Sequence, residues 1–154
     1  MDNLLLSLHS IVRWVVVIAA LAAVGYTGWG WLSKREWTRL AERLGLFFTI
    51  SLDVQVLLGL LLYFFGPTMR SVFPDFGAAM QVPNLFFFAV EHIGLMLAAV
   101  IVAHVGWVRA RKAKDDRAKY RWAALSFGLA IVLILIAIPW PFLPYGRPWL
   151  RLEI

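Results

Sequence analysis

Four long apolar segments, separated by short polar connections, make up most of the chain. They run over residues 4–32, 44–65, 85–108 and 122–142. A helix needs about 20 apolar residues to cross the hydrocarbon core of a bilayer, and each segment reaches that length. Lipid offers no partner for backbone groups, so the segments are predicted to be helices. The pattern therefore predicts an all-α, integral membrane four-helix bundle with up-down-up-down topology, in one domain over residues 1–154.

The composition supports a membrane protein and excludes several kinds of site. Hydrophobic residues make up 62% of the chain, charged residues make up 16%, and the mean hydropathy is +0.77. Soluble domains usually have about 45–50% apolar and about 25% charged residues. The chain has no cysteine. A disulfide scaffold, a thiolate metal site, an iron–sulfur cluster and a cysteine nucleophile are therefore excluded.

The positive charge is concentrated in two connections. Eleven of the fifteen Lys and Arg residues lie in the connection between segments one and two or in the connection between segments three and four. By the positive-inside rule these connections face the cytoplasm, and both termini lie outside. We expect a multi-pass protein of the bacterial cytoplasmic (inner) membrane, with its basic charge turned to lipid headgroups. Membrane lipids are expected partners, and nucleic acid is not.

Four ionisable residues fall inside apolar segments at similar depths from the outer side. His9 and Arg13 are one helical turn apart in the first segment, so they share a face. Glu91 and His92 lie near the outer end of the third segment. Ionisable groups in membrane helices are costly and mark functional sites by default. We expect these residues to form one polar centre, with Arg13 paired to Glu91.

A second polar group and a covering segment are also predicted. Asp53, Gln55 and His104 lie nearer the cytoplasmic ends of their segments and form an expected inner group. Pro139 and Pro141 end the fourth segment, because proline lacks an N–H donor. Beyond them, the composition of residues 141–149 suits the membrane interface. In this outer region, Trp140 and Arg147 are expected to cover the mouth of the polar centre.

Three kinds of chemistry fit the polar centre. A b-type haem needs two imidazoles at one depth on facing helices, which His9 and His92 provide. A quinone needs hydrogen-bonding groups beside an apolar ring pocket. A buried network that only fixes the helix register needs no ligand at all. No metal is predicted apart from haem iron.

The order of several short motifs resembles a family of small bacterial four-span membrane proteins labelled "cytochrome b-like". The motifs are Leu8-His9-Ser10 with Arg13-Trp14, Glu91-His92 with Met96, Ile138-Pro139-Trp140-Pro141-Phe142, and Arg147-Pro148. The resemblance covers nearly the whole chain and implies a b-type haem on His9 and His92. A histidine often stands in the second span of that family, where this chain has Asp53. The resemblance also implies an accessory role beside larger subunits of quinone-linked complexes.

These observations lead to one preferred function with two alternatives. The preferred function is an accessory, quinone-proximal subunit of a respiratory or photosynthetic electron-transfer complex, with no catalytic activity of its own. Quinone, lipids and larger membrane subunits are the expected partners. The first alternative is a small b-type cytochrome, and the second is a purely structural membrane subunit.

Overall fold

The computed structural model describes residues 2–151, and these are folded almost entirely into helices. In chain order they are α1 (Asp2–Leu32), α2 (Arg39–Phe65), α3 (Pro67–Val72), a 3₁₀ turn (Phe73–Asp75), α4 (Phe76–Ala79), α5 (Pro83–Phe86), a π-helical turn (Phe87–Glu91), α6 (His92–Lys112) and α7 (Asp116–Ala137). Four helical stretches are long and apolar enough to cross a membrane. The predicted all-α four-helix architecture is confirmed.

The four long helices form a ring in which each neighbour is antiparallel. α7 contacts both α1 and α6, and α1 also contacts α2. α2 and α6 are neighbours too, but they pack less closely than the other pairs. α1 and α6 therefore lie across the diagonal of the bundle. We name the end with connections 33–38 and 113–115 the basic end, and the other the opposite end.

Local chemistry explains where the helices begin at the basic end. The Thr38 hydroxyl accepts a hydrogen bond from the Ala41 N–H at 3.2 Å and caps α2. The Asp115 carboxylate accepts from the Ala118 N–H at 2.8 Å and caps α7. Each cap satisfies one N–H that the first helical turn leaves without a backbone partner.

Prolines determine where several helices begin or end at the opposite end of the bundle. The fourth apolar segment runs to residue 142, and α7 ends within it at Ala137, because residues 139 and 141 are the prolines expected to end the helix. The connection between the second and third apolar segments contains the short elements α3, α4, α5 and the 3₁₀ turn. Pro67, Pro74 and Pro83 stand in the first turns of three of these short elements. Proline is well tolerated there, because the first N–H groups of a helix have no partner within it.

Small residues let the long helices approach one another closely. Alanines from all four helices are fully buried: Ala20, Ala23, Ala41, Ala103, Ala123 and Ala130. Three glycines leave no space for a side chain, because a Cβ would overlap Tyr120 at Gly30, Trp107 at Gly45 and Ser126 at Gly106. Close backbone approach through small residues is typical of packed membrane helices.

The substitution Gly106→Ala is expected to destabilise the bundle. The new Cβ would overlap Ser126, whose Cβ is fixed to the backbone of α7 and cannot move alone. Overpacking of this kind costs about 1–3 kcal/mol, or a fall of roughly 2–10 °C in Tm. The measurement is thermal unfolding followed by tryptophan fluorescence. The control is Gly94→Ala on the same helix, where a Cβ meets no atom within 4 Å. Equal Tm values for the two variants would contradict this packing.

Candidate functional site

His9 projects from α1 towards α2, where Gln55 binds it twice. The Gln55 Nε2 amide donates to the His9 backbone oxygen at 3.1 Å and contacts the His9 ring Nε2 at 3.2 Å. An amide nitrogen only donates, so His9 Nε2 is the unprotonated nitrogen and Nδ1 carries the proton. Gly59 on α2 lies directly against the ring, because a Cβ there would be in ordinary van der Waals contact with His9 Cε1, at 3.4 Å. The neighbouring helix therefore determines which His9 nitrogen can donate.

Proline leaves two carbonyls free at the end of α7, and side chains bind both. The Leu135 and Ala137 oxygens would accept from residues 139 and 141, but these are prolines without an N–H. Trp140 Nε1 donates to the Leu135 oxygen at 2.9 Å, and His92 Nδ1 lies 2.7 Å from the Ala137 oxygen. A carbonyl only accepts, so His92 Nδ1 carries a proton. In the neutral ring, the lone pair is then on Nε2.

The structure brings His9 and His92 together across the diagonal of the bundle. Their ring centroids are 6.4 Å apart, and the ring planes are inclined by 66°. His9 Nδ1 and Gln55 Oε1 are buried, and neither has a hydrogen-bond partner among residues 2–151. An unpaired buried polar atom costs about 1–3 kcal/mol. The pair therefore presents hydrogen-bonding capacity that the protein itself does not use.

A cavity of about 200 Å³ lies beside the two histidines and is lined by residues of α1, α2, α6 and the segment after α7. One water needs roughly 10–15 Å³ of such space, so the cavity is much larger than a single-water site. Its polar lining includes His9, Gln55, His92, Arg13 and Arg147, and its apolar lining includes Val16, Val56, Leu60, Phe88, Ile93, Met96 and Ile134. A mainly apolar cleft with a few convergent polar groups is the usual form of a small-molecule site.

Arg13 binds the C-terminal tail, residues 138–151, along α1. Its Nη2 donates to the Trp149 backbone oxygen at 2.5 Å, and Trp14 Nε1 donates to the same oxygen at 2.7 Å. The backbone N–H of Arg151 donates to the Ser10 hydroxyl at 3.0 Å. The tail is thus fixed beside the cavity by side chains of α1.

The predicted ion pair between Arg13 and Glu91 is wrong. No ion pair joins them in the described part of the chain, and Glu91 is exposed. Glu91 is the last residue of the π-helical turn and directly precedes His92. Adjacent helical residues project about 100° apart, so Glu91 points away when His92 points into the bundle. Glu91 therefore lies outside the polar centre.

Arg147 and Trp140 have different places. Arg147 lines the cavity, with its guanidinium carbon 4.9 Å from the Phe88 ring centroid. Burial lowers the pKa of the Arg147 guanidinium, and the like charge of Arg151 adds to this effect. Trp140 is not among the lining residues. Its ring lies 6.4 Å from Trp14, on the tail side of α1, so its predicted covering role is replaced by an anchoring one.

The expected inner group is only partly formed. His104 Nε2 lies 3.3 Å from Asp53 Oδ2, so these two residues meet as predicted. Gln55 does not join them, because it is buried against His9. Two helical residues i and i+2 project about 200° apart, which places Gln55 and Asp53 on opposite faces of α2. Gln55 therefore belongs to the polar centre and not to the inner group.

Sequence reasoning missed two contributors to the site. Gly59 lies four residues after Gln55, on the same helical face, and that spacing could have indicated a second contact with the His9 ring. Ser10 binds the tail through a single hydroxyl, and its place in the motif Leu8-His9-Ser10 did not indicate this contact. Tail docking is a long-range contact, so the chain order alone does not indicate it.

Comparison with protein-family models, curated protein sequences and solved structures finds no match for this chain. The resemblance to "cytochrome b-like" proteins therefore stays a prediction.

The substitution Arg13→Gln is expected to loosen the C-terminal tail. The Trp149 oxygen would lose its charged donor and keep only Trp14. A hydrogen bond to a charged group contributes about 1.5–3 kcal/mol, so local opening should become roughly tenfold or more frequent. The measurement is the rate of chymotrypsin cleavage after Trp149, followed by mass spectrometry. Arg121→Gln, an exposed arginine on α7, is the control. Cleavage of both variants at the wild-type rate would contradict the role of Arg13 in holding the tail.

Proposed function

We propose that the protein binds a quinone or quinol headgroup at His9 and His92, as a quinone-proximal accessory subunit of a larger membrane electron-transfer complex. The observation that carries this proposal is the pairing of two histidines, one a donor and one an acceptor, beside an apolar cavity. Such a combination suits a small ring with oxygen substituents.

The separation of the rings determines how the headgroup would bind. Centroids 6.4 Å apart are too close for a whole quinone ring to lie between the imidazoles. In this proposal a single ligand oxygen lies there, at a hydrogen-bond distance of about 2.8 Å from a nitrogen of each ring. A quinol hydroxyl fits this place, because its oxygen accepts from His9 Nδ1–H and its proton is donated to His92 Nε2. The ring and its tail would then extend into the cavity.

The position along the bundle agrees with a quinone site near a membrane surface. At 1.5 Å per residue, His9 lies about 31 Å along α1 from Gly30, which packs at the basic end. That distance is about the thickness of the hydrocarbon core. In this proposal the protein lies in a bacterial cytoplasmic membrane with the basic end inside, so the site is near the outer surface. The larger subunits perform the electron transfer.

A b-type haem on His9 and His92 is the second candidate. It is favoured by the ring separation and by the hydrogen bond from His92 Nδ1 to the Ala137 oxygen. Metal-binding histidines commonly donate their other N–H to a carbonyl in this way. Only His92 has a lone pair that is free to coordinate haem iron. The lone pair of His9 is on Nε2, which faces Gln55 Nε2 at 3.2 Å. A haem would therefore require Gln55 to release His9, whereas a quinol hydroxyl would not.

Removal of His92 is expected to weaken quinone binding. The ligands are ubiquinone-0 and menadione, each in its reduced form, titrated by calorimetry into the protein in lipid nanodiscs. His92→Ala should raise Kd up to about tenfold, since one hydrogen bond contributes about 0.5–1.5 kcal/mol. His104→Ala removes a histidine outside the cavity and should leave Kd unchanged. The quinone role is refuted if neither compound binds the wild type saturably, or if both variants bind equally well.

A visible absorption spectrum distinguishes the quinone site from the haem site. A reduced-minus-oxidised spectrum of the purified protein shows a sharp α-band if haem is bound. An α-band that is lost in His92→Ala and retained in His104→Ala would replace the quinone proposal with the cytochrome. Quinol binding without an α-band would support the preferred function.

A further inference from the structure

A half-exposed pair of an acidic and a basic side chain lies in the middle of the seam, the surface where α2 and α6 meet. His104 on α6 and Asp53 on α2 have side chains that are 40% and 46% exposed. At 1.5 Å per residue, Asp53 is about 21 Å from Arg39 and about 18 Å from Phe65, at the two ends of α2. Both side chains are too short to reach lipid headgroups from that depth. The protein alone therefore leaves the pair facing hydrocarbon.

The surroundings of the pair are apolar and uncovered. Ile50 and Leu57 on α2 are 52% and 61% exposed, and Ile101 on α6 is 62% exposed. Among the residues that the structure describes, no other long helix covers the seam, because α1 and α7 pack on other sides of α2 and α6. Ionisable side chains in membrane helices almost always face protein or a water-filled cavity. This pair therefore indicates that another protein surface lies against the seam.

We propose that the seam is the contact surface of a symmetric dimer, in which a second copy of the chain covers Asp53 and His104. Two copies with the same orientation in a membrane are related by a two-fold axis along the membrane normal. That axis preserves depth and reverses every direction in the membrane plane. The direction from Asp53 to His104 runs from α2 to α6, in that plane, so the axis reverses it. Each Asp53 then faces His104 of the partner subunit.

Complementarity at this interface follows from one acid–base pair, Asp53 and His104, and the symmetry. An isologous interface is self-complementary when opposite charges lie on either side of its axis. A different protein would need its own acid and base at the matching depth. The apolar residues around the pair would form the rest of the contact. This inference does not depend on the ligand of the histidine cavity.

Single cysteines test the dimer, because the natural chain contains none. Ile101→Cys and Ile50→Cys each place one thiol beside the pair, on α6 and on α2. Each full-length variant is reconstituted in lipid vesicles and oxidised with copper phenanthroline. At least one is expected to form a covalent dimer of about 35 kDa, twice the 17.5 kDa of the chain. The control Leu21→Cys, 57% exposed on α1 across the diagonal from α6, is expected to stay monomeric.

Two further measurements distinguish a specific dimer from chance collision. A tenfold increase in the lipid-to-protein ratio should leave the crosslinked fraction nearly unchanged. Adding Asp53→Ala to the cysteine variant that crosslinks should lower that fraction about threefold or more. The proposal is overturned if neither seam variant crosslinks, if Leu21→Cys crosslinks equally well, or if the crosslinked fraction falls in proportion to dilution. Crosslinking in native membranes to a protein of another size, with no 35 kDa product, would also overturn it.

Discussion

The close packing of α7 against α1 and α6 is the constraint on which the rest of the structure depends. Alanines and glycines let these three helices approach until Gly106 has no space for a side chain beside Ser126. In a ring of four helices, the remaining side between α2 and α6 is then the least closely packed. Both unusual features of the protein include residues of these two helices: the cavity beside the histidines and the exposed pair of Asp53 and His104.

One side of the polar centre is held in place by backbone carbonyls of α7 that have no partner within the helix. Proline at residues 139 and 141 removes two donors, and His92 and Trp140 bind the carbonyls that would have received them. On the opposite side, Gln55 binds His9 and directs its protonated nitrogen away from α2. The two rings thereby become one donor and one acceptor, fixed by separate parts of the fold. The combination of one donor, one acceptor and an apolar cavity favours a hydroxyl-bearing ring as the ligand.

The length and position of the apolar segments predict which residues meet at the same depth. They do not predict the direction of a side chain where that direction depends on local geometry. The four spans and the meeting of Asp53 with His104 follow from segment length and position, because antiparallel neighbours bring equal depths together. The period of α2 also separates Gln55 from Asp53, but it does not indicate which helix Gln55 would contact. Glu91 was assigned to the centre by depth alone, although it adjoins His92 and must project elsewhere. Arg13 then binds tail carbonyls, a long-range contact with no signal in the local sequence.

The most direct test of the histidine pair is ¹⁵N solid-state NMR of the protein with labelled histidine in lipid bilayers. The chain has three histidines, so the spectrum contains three ring systems, and His104 is the internal reference. The account predicts protonated Nδ1 and unprotonated Nε2 in both His9 and His92, with both rings shifting when reduced ubiquinone-0 is added. A protonated Nε2 in either ring without ligand, or a shift at His104 alone, would contradict it.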